Sequence, residues 1–218
     1  MNTNPKMGGI AALVQALCYI CGFVMIATLL NPGDTSDWTP VQRLKFVLDQ
    51  QALVQGWNII IYVVFGIALV LLASVLHELL KSDSPQLTSI ATPFGMIWAG
   101  LVIASGMVAS VGLETVAGVF TDNPQRAADS WLVIATIQNG LGGGVEIVGG
   151  IWVLLLSLAA LQSKAILPMY CNWIGLIVGV AGIITIVPAL SDFGAVFGLV
   201  QILWFVIVGI VLLRTKPV

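Results

Sequence analysis

Residues 129–161 read DSWLVIATIQNGLGGGVEIVGGIWVLLLSLAAL, and Glu146 is the one charged residue after Asp129 in that run. A membrane-spanning helix needs roughly 20 consecutive, mostly apolar residues. This stretch exceeds that need and carries a carboxylate at its middle. An ionisable side chain at membrane depth is costly and marks a functional site by default. A second acid has the same setting: Glu114 lies in VIASGMVASVGLETVAGVF, residues 102–120.

Outward from this stretch, the chain divides into six apolar segments of spanning length. They run approximately Gly8–Leu30, Ala52–Leu80, Ser89–Phe120, Asp129–Leu161, Ile166–Leu190 and Gly194–Leu213. Polar breaks rich in turn residues separate them: NPGDTSDWTP, KSDSPQ, TDNPQRAADS, QSKAILP and LSDFG. The pattern predicts one all-α domain over residues 1–218, a polytopic membrane bundle of six transmembrane helices. The first run, about 23 apolar residues behind Lys6, is longer than a signal-peptide core and has no A-x-A site after it. It is read as a retained first helix.

Composition narrows the function classes. Of 218 residues, 59% are hydrophobic and 8% charged, with mean hydropathy +1.05. Soluble domains are about 25% charged. A net charge of -2 gives nucleic acid no purchase. The single histidine, His77, cannot supply a bis-His haem, and no His/Cys/carboxylate set has metal-ligand spacing. His77 is read as a snorkelling interface residue near the inner end of the second span. Cys18, Cys21 and Cys171 fall in apolar runs, so the C-x-x-C they include reads as packing rather than redox chemistry. There is no phosphate-binding loop, no dinucleotide fingerprint and no intramembrane lysine or arginine ladder. No cofactor or metal is expected.

Charge sets the expected orientation. With the N-terminus inside, Lys6, Lys81, Lys164, Arg214 and Lys216 are cytoplasmic, against Arg43, Lys45 and Arg126 outside. The bias is five to three in the direction of the positive-inside rule. Both termini are then inside. Trp38, Trp57 and Trp131 fall near the outer interface, Tyr170 and Trp173 near the inner one. Between the first two spans, Val41, Leu44, Val47 and Leu48 share one helical face. A helix over 40–50 fits equally a membrane-surface helix or an ordinary solvent-capped loop helix.

At 1.5 Å of rise per residue, polar groups from several spans fall in one outer layer. They are Glu114, Gln55, Asn58, Gln138, Asn139, Thr185 and Gln201, with Glu146 deeper, near the midplane. Polar side chains in lipid face the bundle interior or a wet cavity. An outward-facing polar cavity is expected, with Glu114 in its wall and Glu146 at its floor. Its nominated ligand-binding residues are Glu146, Glu114, Asn58, Gln138, Asn139 and Gln201. The competing reading is that these groups hydrogen-bond one another and hold the helices together. No basic residue lies within the spans near either acid, which suits a proton-coupled carrier and a hydrogen-bonded structural acid alike.

Gly140, Gly142, Gly143, Gly144, Gly149 and Gly150 occupy six of eleven positions around Glu146. Close approach of a neighbouring helix is the favoured explanation, and a local break beside a cavity the alternative. Gly175, Gly179 and Gly182, and likewise Gly100, Ala104, Ser105, Ala109 and Gly112, form small-residue faces for contacts within one chain or in a homo-oligomer. Pro188 is read as ending the fifth span.

Three stretches carry a family resemblance: KMGGIAALVQALCYICGFV at 6–24, NPGD at 31–34, and LPMYCNWIGLIVGVAGII at 167–184 with FGLVQILWFVIVGIVLL at 197–213. The chain resembles small bacterial inner-membrane proteins classed only as a domain of unknown function. The resemblance implies a bacterial, all-helical, six-span protein and carries over no activity and no catalytic residues. The leading expectation is a membrane protein that binds or transports a small or lipid-like ligand. A scaffold subunit with Gly-rich packing faces comes second. A lipid-modifying enzyme comes last, because the two acids differ by more than ~10 Å in depth. Membrane lipids are the expected partners.

Overall fold

The computed structural model describes residues 4–163 and 166–215, so Lys164 and Lys216 of the charge count lie outside the described residues. Among them every regular element is a helix, with no strand. Four helices begin on a capping residue followed by proline: α1 (Pro5–Ala27), α2 (Pro40–Asp49), α5 (Pro85–Phe120) and α6 (Pro124–Gln138). Proline suits the first helical position because it lacks the amide hydrogen that would go unpaired there. Asn4, Thr39 and Asn123 each accept a backbone N–H of the first turn through their side-chain oxygen. At Thr39 the Gln42 side chain reciprocates, completing a capping box.

Five helical stretches are long and apolar enough to cross a membrane. They are α1, Gln51–Leu80, α5, Pro124–Gln162 and α9 (Phe193–Arg214). The second is α3 (Gln51–Asn58) and α4 (Phe65–Leu80), joined by a π-helical segment, Ile59–Val64. The fourth is α6, a π-helical turn over Asn139–Gly143, a break, and α7 (Ile147–Gln162). The remaining apolar helix, α8 (Met169–Ile184), has 16 residues and is shorter than the five. It ends before a 3₁₀ turn at Pro188–Leu190.

Six helices close a ring. Going round it, α1 packs on α4, α4 on α5, α5 on α7, α7 on α8, α8 on α9, and α9 back on α1. Glycine sets the tightest seams. A methyl group at Gly9 would stand 2.9 Å from the Gly209 carbonyl oxygen, and one at Gly150 2.7 Å from that of Gly179. The ring has two distinct ends. At one, Gly8 of α1 meets Val75 and Leu212, while Ser84 and Asp83 bond Gln162 and Ser163. At the other lie the loop after α1, α2, the α5–α6 turn and the α8–α9 turn.

The centre of the ring is aromatic. Tyr19, Phe65, Trp98, Trp152, Trp204 and Phe205, from α1, α4, α5, α7 and α9, touch in sequence with centroids 5.3–5.8 Å apart, mostly edge to face. The outward faces are apolar too: Leu17, Ile67, Val111, Ile177 and Leu203 are each more than half exposed. An apolar exterior around a polar and aromatic interior is what lipid as solvent selects.

The helix expected at 40–50 exists, but its apolar face is covered by protein. Leu44 is fully buried against Leu113, Val116, Ala127 and Ala128 of α5 and α6. Val41, Val47 and Leu48 join the same cluster. His77 does not snorkel freely, since its Nδ1 lies 2.7 Å from Thr92 Oγ1 on α5.

Candidate functional site

The polypeptide loses helical geometry immediately before Glu146. Gly142 has φ 149°, a conformation that L side chains rarely adopt, and Gly144 has φ -157° and ψ -10°, outside helical geometry. Glycine supplies the Gly142 conformation without steric cost, and the break leaves Glu146 at the N-cap of α7. Helix N-termini concentrate unpaired amide groups and the positive end of the helix dipole. The Glu146 amide donates to Thr185 Oγ1 at 2.8 Å, and that hydroxyl donates to the Gly182 carbonyl at 2.7 Å. The break is thereby fastened to the end of α8. Among the described residues the Glu146 carboxylate has no hydrogen-bond partner.

The glycine run does two different things along its length. Gly140–Gly144 forms the irregular turn, whereas Gly149 and Gly150 serve close packing. A methyl at Gly149 would stand 2.6 Å from the Trp98 ring, and Gly150 faces the backbone of α8. The favoured close-packing explanation therefore fits the second group, and the local break accounts for the first. Gly100 has nothing within reach of an added methyl, so it takes no part in close packing within the chain.

Glu146 faces a pocket of about 390 Å³ at the α2-bearing half of the ring. Its walls come from α1, the π-helical segment before α4, α5, the Gly142–Glu146 break and the start of α9. Six of its 18 lining residues are aromatic (Tyr19, Phe23, Trp57, Tyr62, Phe65 and Trp98), against 8% of the chain. Glu146 is the sole charged one. Tyr19 meets Phe65 edge to face at 5.3 Å and Phe65 meets Trp98 at 5.4 Å, so three touching rings contribute to the lining.

Of the six nominated residues, Glu146 alone lines this pocket. The others fall into separate local arrangements instead of one polar layer. Glu114 is exposed and accepts from Gln51 Nε2 at 2.8 Å and Gln55 Nε2 at 3.4 Å. Its expected place in the cavity wall is corrected, because α5 turns it toward α3. Gln138 donates to the Tyr62 hydroxyl at 3.0 Å, and its carbonyl accepts from Ser105 at 2.6 Å. It thus stands behind the pocket wall. Asn139 is exposed, with its side chain against Gly144. Asn58 and Gln201 are buried in helix contacts, and neither Asn58 Oδ1 nor either polar atom of the Gln201 amide has a partner among the described residues.

The family model described as Domain of unknown function (DUF4386) matches residues 7–215. The chain belongs to that family. The match takes in every pocket residue, from Cys18 to Gly198. No curated protein and no solved structure matches the chain.

Sequence reasoning missed the aromatic lining of this DUF4386 member. Trp57, expected in an interfacial belt, turns inward, where its Nε1 donates to the Gly22 carbonyl at 3.4 Å. Tyr19, Phe23 and Trp98 sit in runs so apolar that periodicity does not separate their inner from their outer faces. Cys18, read as a packing residue, is buried beside the pocket.

Proposed function

We propose that this protein binds, and in its membrane moves, a small or lipid-like ligand at the Glu146 pocket. One observation carries the reading: the sole charged lining side chain has no hydrogen-bond partner and sits at a glycine break in the middle of an apolar stretch. Irregular backbone at membrane depth is tolerated where protein covers it or a cavity adjoins it. Convergent polar groups in an apolar concavity are the usual form of a small-molecule site.

Six crossings, with both termini cytoplasmic and the pocket facing outward, complete the proposal. In support, α8 closes the ring between α7 and α9, and Lys6, Lys81 and Arg214 cluster at the end opposite Arg43, Lys45 and Arg126. The resemblance to bacterial inner-membrane proteins supports that membrane as the location. The scaffold reading gains less. Gly9, Gly150, Gly175, Gly179 and Gly182 already face their own chain. A general acid–base pair gains nothing from Glu114, which stands outside the pocket.

Native mass spectrometry of gently purified protein, wild type against Glu146→Gln, tests the proposal. A defined adduct on wild type that the variant loses is the expected result. No adduct on either, with equal thermal stability, overturns it and favours a scaffold.

A further inference from the structure

We infer that the ligand is an organic cation, an ammonium-like head on an apolar body. The inference rests on the ligand-binding reading above and names the chemical class. Three features of the pocket point the same way.

The first is charge. Glu146 is unaccompanied: no Lys, Arg or His lines the pocket. An anionic ligand would meet a carboxylate with no cation to offset it. A cation would provide the missing opposite charge, in surroundings where low polarity strengthens the attraction.

The second is the rings. Six aromatic side chains surround the space. A ring face carries partial negative charge, and a cation within about 6 Å of its centroid is attracted to it. Aromatic cages are an arrangement by which quaternary ammonium groups are recognised.

The third is the small number of other polar groups. The Trp57 N–H is engaged by Gly22 and the Tyr62 hydroxyl accepts from Gln138. Besides Glu146 that leaves the Tyr19 and Ser191 hydroxyls and the Trp98 N–H, which is buried without a partner among the described residues. These are few against the several hydroxyls that a sugar-like ligand must satisfy. A hard metal ion needs six or more oxygen ligands. One carboxylate does not provide them, and no cluster of three metal-ligating side chains exists among the described residues. A weakly hydrated organic cation fits what remains. The volume of about 390 Å³ lies within the range of small-ligand pockets.

The test uses a pair of probes that differ only in charge: benzyltrimethylammonium and its neutral carbon isostere, neopentylbenzene. Binding to the full chain in lipid nanodiscs is followed by tryptophan fluorescence, since Trp57 and Trp98 line the pocket. Saturable binding of the cation is expected, at least about tenfold tighter than the isostere and at least about tenfold weaker in Glu146→Gln. Phe23→Leu keeps an apolar wall but removes one ring face, and should weaken the cation about two- to fivefold. Phe23 is 37% exposed, so this variant remains informative if Glu146→Gln melts early. Equal affinity for the two probes, or cation affinity unchanged in both variants, overturns the cation assignment and leaves the ligand-binding reading standing. A neutral or anionic adduct in the mass-spectrometric experiment does the same. No saturable probe binding together with no adduct overturns both.

Discussion

A methyl group on Gly150 would stand 2.7 Å from the carbonyl oxygen of Gly179 and 2.7 Å from the amide nitrogen of Ile183. Both are backbone atoms, so the α7–α8 seam must open to admit it. Overpacking of this kind costs about 1–3 kcal/mol. Gly150→Ala should therefore lower the thermal midpoint in detergent clearly. Gly100→Ala, with nothing within 4 Å, should leave it unchanged or raise it by the ~0.5–1 kcal/mol that alanine gains over glycine in a helix. Equal effects of the two would mean that the seam is looser than its geometry. Gln201 offers a test of opposite sign. Both its polar side-chain atoms are buried without a partner among the described residues. An unpaired buried polar group costs about 1–3 kcal/mol. Gln201→Met should consequently hold or raise the midpoint, and a clear loss of stability would assign the amide a partner.

α2 is held by the fully buried Leu44, by Val41, Val47 and Leu48 beside it, and by one cap, in a cluster apart from the main core, so its stability can be addressed separately from the ring. Leu44→Ala removes packing against Leu113, Val116 and Ala127, and large-to-small changes in cores cost at least about 2 kcal/mol. That is roughly a thirtyfold rise in local opening. Hydrogen exchange at 41–49 should accelerate by about that factor while the ring helices keep their protection. A uniform acceleration would instead tie α2 to the whole fold. The loop leading to α2 carries a pH-dependent turn. Asp34 accepts the Ser36 amide at 3.0 Å, and this bond holds its carboxyl below the usual carboxylate value. Because the folded value is the lower one, the turn is favoured above the ordinary carboxylate range and is lost as pH falls through the depressed value. The Ser36 amide resonance should titrate below the ordinary aspartate midpoint, and Asp34→Asn should abolish that titration. At this scale much was legible in sequence. Runs of apolar residues and the polar breaks between them gave the helices, because each is a local property of a few neighbouring residues, though α8 stops at Ile184, short of the expected Leu190. The pocket was less legible. Glu146 announces itself by its depth, but its ring partners span Tyr19 to Trp98, and only helix rotation decides that Phe23 faces Glu146 rather than lipid. Glu114 misled for the same reason, its facing. The depth expected for Glu146 is corrected as well: its amide bonds Thr185 at the far end of α8, so it stands a helix length from the Ser163 end and not midway along the ring helices.

At the scale of the whole molecule, the ring makes the crossing number depend on α8. This helix has 16 residues, so it rises about 24 Å, against a hydrocarbon core of about 30 Å. A short helix is accommodated by local thinning of the bilayer at modest cost. The six crossings proposed above require α8 to cross. Its first residues follow Ser163, which bonds Asp83 at one end of the bundle, while Thr185 at its other end holds the Glu146 break near the pocket. Single cysteines in a background lacking Cys18, Cys21 and Cys171 can read this from intact cells with a membrane-impermeant maleimide. Asp122→Cys and Ser191→Cys should label from outside. Ser82→Cys and Gln162→Cys, both at exposed positions, should label only after permeabilisation, as the excess of basic residues at their end predicts. The reverse pattern would invert the orientation and keep six crossings, turning the pocket toward the cytoplasm. Labelling of Gln162→Cys and Ser191→Cys from the same side would mean that α8 does not cross. The ring would then be unable to stand in a bilayer as drawn, since α7 and α9 could not both flank a helix that joins their ends across it.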